Sequence, residues 1–437
     1  MTLKISVIGT GYLGATHAAC MSHLGFEVVG VDVDPAKIAS LASGTIPFYE
    51  PGLQELLQSE LATGRLTFSS DLSSIADCDV HFICVGTPQV ADGLAADLSY
   101  VFSSLRSIAP IIKAGSLVVG KSTVPVGTAA TMREELLAIN PDVDLAWNPE
   151  FLREGFAVED TLSPNRLVVG VTNSRAEEIL RQVYAKNLSE NIPWVVADLP
   201  TAELVKVSAN AFLATKISFI NAMAEICEAA GGDVTVLAKA IGYDPRIGNR
   251  FLQAGIGFGG GCLPKDLRAF IARSKELGAD QALEFLQDID SINLRARTRM
   301  IELVRKDLSE DLRGKKIAVL GAAFKPDSDD VRDSPALDIS AQIQAAGAIV
   351  TVHDPKAIAN AAKRFPALNY AETIEECVSD ADLVLHLTEW KIYREIDPAQ
   401  LISSVANPIM IDGRNALDRE KWRAAGWKFR ALGRSEN

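Results

Sequence analysis

Short apolar runs and helix-like stretches alternate along the first half of the chain. Residues 4–9 (KISVIG) are apolar, followed by Thr-Gly-Tyr-Leu-Gly and a helical pattern to Leu24. Gly25 breaks that helix, and residues 27–32 (EVVGVD) read as a second strand, so the chain opens on a predicted βαβ unit. Further strand-like runs at 78–85 (CDVHFICV), 116–120 (SLVVG), 143–147 (VDLAW) and 166–170 (RLVVG) alternate with helical patterns. That alternation predicts a parallel sheet with helices on both faces.

From Thr201 to about Ala230 the pattern changes. No Gly or Pro interrupts until Gly231, and Thr201 is placed to cap a helix with Glu203 in its first turn. At ~1.5 Å per residue such a helix is about 45 Å long, enough to connect domains or carry a dimer interface. A second βαβ-like unit starts at 315 and partly repeats the first: KKIAVLGAAF resembles LKISVIGTGY, GAIVTVHDP (347–355) resembles GFEVVGVDVDP (25–35), and ADLVLHLTEW (381–390) parallels CDVHFICVGTP (78–88). The predicted fold class is α/β, with two Rossmann-like parallel-sheet domains joined by a long central helix. The expected divisions are 1–198 for the first such domain, 199–300 for a central helical region, and 301–437 for the second.

Composition narrows the function classes. The 437-residue chain is 48% hydrophobic and 23% charged, an ordinary globular make-up with length for two or three domains. Its net charge of −13 repels phosphate polymers, and an anionic small ligand would need a locally basic pocket. Six scattered cysteines show neither metal-ligand nor paired spacing, which fits a reducing compartment. The N-terminus has no signal-peptide pattern, and no apolar run reaches the ~18 residues of a membrane helix. A cytoplasmic protein without nucleic-acid, membrane or metal partners is expected.

Gly9, Gly11 and Gly14 form GxGxxG between the first strand and the first helix. The first glycine permits the tight turn, the second lets the backbone approach a pyrophosphate, and the third lets helix and strand pack. The helix N-terminus then offers N–H groups and partial positive charge to the phosphates. Asp32 ends the second strand, where a carboxylate accepts ribose hydroxyls and repels a 2′-phosphate, so NAD is favoured over NADP. Lys37 reads either as a ribose or phosphate contact or as a solvated helix lysine. In the second repeat Ala322-Ala323-Phe324 follow Gly321, and side chains crowd the pyrophosphate approach. Phe324 and Lys325 suit a nucleotide base and its phosphate, or else are a packed Phe and an exposed Lys.

None of the five histidines sits in a suggestive cluster, so acid–base work falls to other groups. Lys206 and Asn210 lie four apart on the long helix, hence on one face, where a lysine can stabilise an alkoxide and an amide can orient it. Residues 257–266 (GFGGGCLPKD) carry a sharper signal. Gly255, Gly257, Gly259, Gly260 and Gly261 imply a backbone that approaches something closely, with many N–H groups available to bind it. Cys262 follows them, near Lys265 and Asp266, and a cysteine beside cationic groups can act as a nucleophile. Thr123 in KSTVPVGT (121–128) and Glu150 and Glu154 in NPEFLREG (148–155) fall in post-strand loops, on the side where open α/β sheets bind ligands.

Together with PFYEPGL (47–53), VGTP (85–88), DLSYV (97–101), KVSANAFLATKISFIN (206–221), RIGNRFL (246–252), LGAAFKPDSDDVRDSP (320–335) and TEW (388–390), these segments resemble the nucleotide-sugar 6-dehydrogenases of the UDP-glucose/GDP-mannose dehydrogenase family, over nearly the whole chain. The resemblance implies NAD-dependent, four-electron oxidation of UDP-glucose at C6 to UDP-glucuronate, through thiohemiacetal and thioester intermediates on Cys262. It implies oxyanion stabilisation by Lys206 and Asn210, acid–base work by Asp266 with a water, and water positioning by Thr123 and Glu150. It assigns Thr87, Thr123, Glu154 and Lys265 to the NAD region, alongside Gly9, Gly11, Gly14, Asp32 and Lys37. It places Glu150, Phe151, Leu152, Phe251 and Gly259 around the sugar, Phe324 and Lys325 at uracil and diphosphate, and Arg414 as a further phosphate candidate. Arg246 matches an arginine that reaches a neighbouring subunit's site, which implies a homodimer or higher oligomer built on the long helix. The chain departs from the family in reading GGGC for the commoner GGSC, Ala222 for a usual Glu, and SPNR (163–166) for an acidic turn. GDP-mannose and UDP-N-acetylhexosamine dehydrogenases stay open as alternatives, as do a two-electron β-hydroxyacid dehydrogenase and a non-catalytic nucleotide-sugar sensor.

Overall fold

The computed structural model describes residues 3–435. They form two compact units: residues up to Ala209 together with Arg268–Gly278, and Asn210–Leu267 together with the residues from Ala279 onward. Among the described residues no helix is long and apolar enough to cross a membrane.

The first unit holds strands β1 (Lys4–Ile8), β2 (Glu27–Val31), β3 (Leu66–Ser69), β4 (Val80–Ile83), β5 (Leu117–Gly120), β6 (Asp144–Trp147), β7 (Leu167–Gly170) and β8 (Trp194–Ala197). They form one sheet in the order β3-β2-β1-β4-β5-β6-β7-β8. β1 lies parallel to both β2 and β4, with Ile5 opposite Val28 and Val80. Strands β4 and β5 are buried along their whole length, because helices cover both faces, and the polar residue they carry, His81, is paired internally with Ser6 Oγ at 2.7 Å. The sheet is not parallel throughout: β7 joins β6 antiparallel at Trp147 and Gly170, and β8 continues parallel to β7. A short apolar run carries no information about strand direction, so the pattern that located β7 could not orient it.

The second unit contains β9 (Lys316–Leu320), β10 (Ile349–His353), β11 (Asn369–Tyr370), β12 (Leu383–His386), β13 (Ile409–Asp412) and β14 (Lys428–Ala431). Their order, β11-β10-β9-β12-β13-β14, repeats around β9 the arrangement found around β1, and every pairing is parallel. The internal repeat seen in the sequence is therefore a repeat of topology. It is broken at one place. After β1 a helix begins at Tyr12, whereas after β9 the next helix begins only at Pro335.

The long helix spans Leu199–Ala230, 32 residues, and runs from the first unit into the second. It starts ahead of Thr201. The Asp198 carboxylate accepts the Thr201 N–H at 2.8 Å, so Asp198 rather than Thr201 caps it. Asp is as good an N-cap as Thr, and Pro200 is tolerated in a first turn whose N–H groups lack intrahelical partners.

Gly120 closes β5 opposite Trp147, and a Cβ there would lie 2.0 Å from the indole ring. Gly120→Ala is expected to lower stability by about 3 kcal/mol through overpacking, read as a drop in the urea unfolding midpoint.

Candidate functional site

At the carboxyl end of β1 the chain turns through Gly9 (φ 85°), whose N–H donates to Val31 O at 2.8 Å. The three glycines answer to different constraints. A Cβ at Gly9 would meet Val85 at 2.7 Å and one at Gly14 would sit 1.8 Å from Gly9 O, but one at Gly11 would meet nothing within 4 Å. Gly11 is the N-cap of helix Tyr12–His23, where no side chain caps the helix amides, and it borders open space. That is a cradle of pyrophosphate shape. Beside it Asp32 Oδ2 accepts from Thr10 N and from Lys37 Nζ, each at 2.8 Å. Burial pushes the Asp32 pKa up, but the Lys37 hydrogen bond and the Thr10 and Asp34 amides outweigh it and hold the carboxyl below its ordinary value. Neither reading of Lys37 anticipated that ion pair. The residues fit a dinucleotide with free ribose hydroxyls.

Two post-strand loops and the start of the long helix share the same unit. Thr87, after β4, donates through Oγ1 to the carbonyl of Thr123, after β5, at 2.8 Å. After β6, Glu150 Oε1 pairs with Lys206 Nζ at 3.0 Å, and Oε2 accepts Leu152 N at 2.7 Å. The Lys206 ammonium lies 5.6 Å from the Phe151 ring centre, and Arg166 stacks on the same ring at 3.8 Å. Glu154 precedes Gly155, whose N–H donates to the buried Glu50 carboxylate at 2.6 Å; Glu50 also takes Ala157 N at 2.7 Å and the Tyr12 hydroxyl. Lys121 is buried and donates to Asn148 Oδ1 at 3.0 Å, and burial lowers its pKa to about 8. Glu50 and Lys121 both lie inside motifs that the sequence displays, but nothing in their spacing reveals partners so far along the chain.

In the second unit Cys262 is the exposed cysteine, while the other five are buried. It immediately precedes helix Leu263–Glu276, and its carbonyl accepts Asp266 N at 2.9 Å. A thiol at a helix N-terminus has its thiolate form favoured. Asp266 is buried, with Oδ2 accepting Asn210 Nδ2 at 2.7 Å and Oδ1 pairing with Lys265 Nζ at 2.6 Å. Lys265, Asp266 and Asn210 thus form one cluster. Arg246 is exposed and pairs with Asp244, and Phe251, 38% exposed, holds a left-handed φ of 63°.

The glycine loop needs its glycines for a different reason from the one expected. What approaches it closely is the protein's own backbone and side chains: a Cβ at Gly255 would meet Gly413 O at 2.5 Å, one at Gly259 would meet Asp333 O at 2.2 Å, and one at Gly260 would meet the Phe324 ring at 2.7 Å. Several of the loop's amides are taken as well, Gly255 N by Asn221, Phe258 N by Asn293 and Gly260 N by Arg332 O. The Arg414 guanidinium likewise donates to the carbonyls of Leu387 (2.7 Å), Gly257 (3.1 Å) and Phe324 (3.1 Å), so it braces these loops with three of its five N–H donors. Phe324 lies against Gly260, with Lys325 Nζ 5.3 Å from its ring centre. The N–H groups of Ala322 and Ala323 both donate to Asp354 Oδ2, at 2.8 and 3.0 Å, so the second repeat does not offer them to a pyrophosphate.

Comparison with known proteins agrees with this geometry. Residues 3–188 match the NAD binding domain of the UDP-glucose/GDP-mannose dehydrogenase family, 200–295 its central domain, and 318–419 its UDP binding domain. The chain is 41% identical to a UDP-glucose 6-dehydrogenase of Rhizobium meliloti (strain 1021), over 99% of this chain and 100% of that one. It is 39% identical to a UDP-glucose 6-dehydrogenase of Bacillus subtilis (strain 168), over 99% and 93%. Among solved structures, a UDP-glucose dehydrogenase from Pyrobaculum islandicum superposes with a TM-score of 0.91 at 36% identity, covering 99% of this chain and 98% of that one. A UDP-D-ManNAc dehydrogenase from Pyrococcus horikoshii superposes at 0.88 with 27% identity, covering both chains completely.

Because a Cβ at Gly11 meets open space, Gly11→Ala is expected to keep its melting temperature while NAD affinity falls at least tenfold, about 1.4 kcal/mol. Gly14→Ala, by contrast, should lower the melting temperature itself. Thermal unfolding and calorimetric titration with NAD separate the two.

Proposed function

Since this chain belongs to the UDP-glucose/GDP-mannose dehydrogenase family, and is an NAD-dependent oxidoreductase, we propose that it oxidises UDP-glucose at C6 to UDP-glucuronate. The observation that carries this reading is Cys262, exposed at a helix N-terminus four residues from a buried Asp266 bound by Asn210 and Lys265. A two-electron alcohol dehydrogenase has no use for such a thiol. The names of the relatives support UDP-glucose over other nucleotide sugars.

Gly9, Gly11, Gly14 and Asp32 would hold NAD, which supplies the hydride acceptor for both oxidations. In the first, the C6 hydroxyl loses a proton, with Asp266 acting through a water, and C6 loses a hydride to give an aldehyde. Lys206, held by Glu150, and Asn210, held by Asp266, stabilise the negative charge that develops on that oxygen. An aldehyde has no alkoxide from which to expel a second hydride. Addition of the Cys262 thiolate forms a C–S bond, opens the carbonyl π bond and gives a thiohemiacetal after protonation of the oxygen. Loss of a proton and a hydride from it gives the thioester. Water positioned by Thr123 and Glu150 then adds to the carbonyl, the C–S bond breaks, and Cys262 is regenerated as the carboxylate leaves. Per product, two hydrides and three protons depart and one water is consumed.

Phe324, Lys325, Phe251 and Gly259 form the nucleotide-sugar region of this reading, and Phe151 and Leu152 flank Glu150. The outer face of the long helix supports a homodimer in this reading. Phe212, Phe219 and Ile226 recur every seven residues there and are 66%, 46% and 61% exposed, a stripe suited to a second copy of the same helix. The free thiols suit a reducing, cytoplasmic compartment.

With UDP-glucose limiting, two NADH should form per sugar, while GDP-mannose and UDP-N-acetylhexosamines stay inert. One NADH per sugar would sink the thioester route. Cys262→Ser should bind NAD and UDP-glucose with near-normal affinity yet form no net UDP-glucuronate, and normal acid production by that variant would rule out the cysteine's role.

A further inference from the structure

Glu203 has no part in the reaction just described, yet it is buried at 2% exposure one turn before Lys206. Its Oε2 accepts Gly127 N at 2.7 Å and its Oε1 accepts Ala129 N at 2.6 Å. Those amides open helix Thr128–Ile139, whose N-cap is Gly127 and therefore brings no side-chain cap of its own. Around the same turn Arg273 Nε donates to Val126 O at 2.9 Å, and Thr128 Oγ1 donates to Pro125 O at 2.6 Å. Val124 and Ala129 pack into the core on one side of the turn, while a cavity of about 200 Å³ lies against Pro125, Gly127, Thr128 and Thr131. On the cavity side hydrogen bonds restrain it. Burial raises the Glu203 carboxyl to about 7, against the pull of the two amides and of Arg273, so the site keeps a poorly solvated acid where an apolar side chain would fill space at lower cost.

We propose that Glu203 and Arg273 are positioning residues that clamp the Val126–Ala129 turn from its N–H and C=O sides, and so fix Thr123 relative to Lys206. Thr123 lies just upstream of the turn, on the same strand-to-helix connection, with its carbonyl pinned by Thr87. Lys206 shares the helix of Glu203 and is pinned by Glu150. Glu203 therefore ties the connection that carries Thr123 to the helix that carries the oxyanion-stabilising lysine. The catalytic consequence rests on the C6-oxidation reading; the clamp itself does not.

The test is Glu203→Gln, which keeps the shape but leaves one acceptor where the carboxylate has two. Hydrogen–deuterium exchange of peptides covering 124–131 should accelerate about tenfold or more, with the rest of the unit unchanged. The kcat for NADH formation should fall about tenfold or more, because small displacements of catalytic groups are costly, while KM for UDP-glucose and NAD stays within about twofold. Arg273→Gln opens the clamp from the other side and should reproduce both effects; it carries the test if Glu203→Gln does not fold. Unchanged exchange over 124–131 overturns the clamp. Accelerated exchange with unchanged kcat overturns the positioning role. Absence of any NADH from UDP-glucose in the unaltered enzyme counts against C6 oxidation, and exchange then still decides the clamp.

Discussion

A backbone N–H in the loop beyond the end of a parallel strand has no neighbouring strand to bond, and at several such places among the described residues a buried carboxylate takes it up. Glu50 holds Gly155 and Ala157, Glu203 holds Gly127 and Ala129, Asp354 holds Ala322 and Ala323, and Asp412 holds Arg414, Ala416 and Leu417. Neither partner is stable in the interior without the other, since a buried unpaired carboxylate and a buried unpaired amide are both costly. Each pairing therefore fixes a loop at one position. The loops that carry Glu154 and Thr123, and those after β9 and β13, are all held this way. Asp412 shows the balance: burial pushes its carboxyl up, and the neighbouring His386 with the loop amides holds it below its ordinary value all the same.

The same interaction accounts for the division of labour between two sheets of like topology. Around β1 and around β9 the strand order is equivalent, and both turns begin with a left-handed glycine, Gly9 and Gly321. After β1 a helix starts at once and its first amides have no side-chain cap, which leaves them to a phosphate. After β9 the next helix waits until Pro335, and Asp354 occupies the amides of Ala322 and Ala323. In the first repeat Asp32 takes only the Thr10 amide of the corresponding turn, whereas Asp354 takes two. The second sheet is free to take another role, in the stretch that matches the family's UDP binding domain.

Much of this was legible in the residues. The apolar runs located strands in both sheets, because a strand covered on both faces admits few polar side chains. The glycine spacing of 9, 11 and 14 located a tight strand-to-helix turn within the residues that match the family's NAD binding domain, since its constraints are steric and local. The glycine loop before Cys262 was also visible, but not its reason: the density of glycine reports close approach without saying what approaches, and here it is Gly413, Asp333 and Phe324 of the same chain. The cap of the long helix was misplaced by a few residues for a similar cause, as Asp198 and Thr201 are both competent caps.

By itself, the sequence determined what depends on neighbours a few residues away: strand and helix types, the glycine turn after β1, the repeat, and the cysteine placed before a helix. The tertiary structure alone decided the direction of β7 and the pairing of Lys206 with Glu150. It also decided the commitment of Arg414 to three carbonyls and the attachment of Glu203 to Gly127 and Ala129. Those outcomes join residues far apart along the chain. Hydropathy and spacing encode how readily a residue is buried and which way the local backbone turns, whereas the partner of a buried charge is set only when folding brings one within hydrogen-bonding reach.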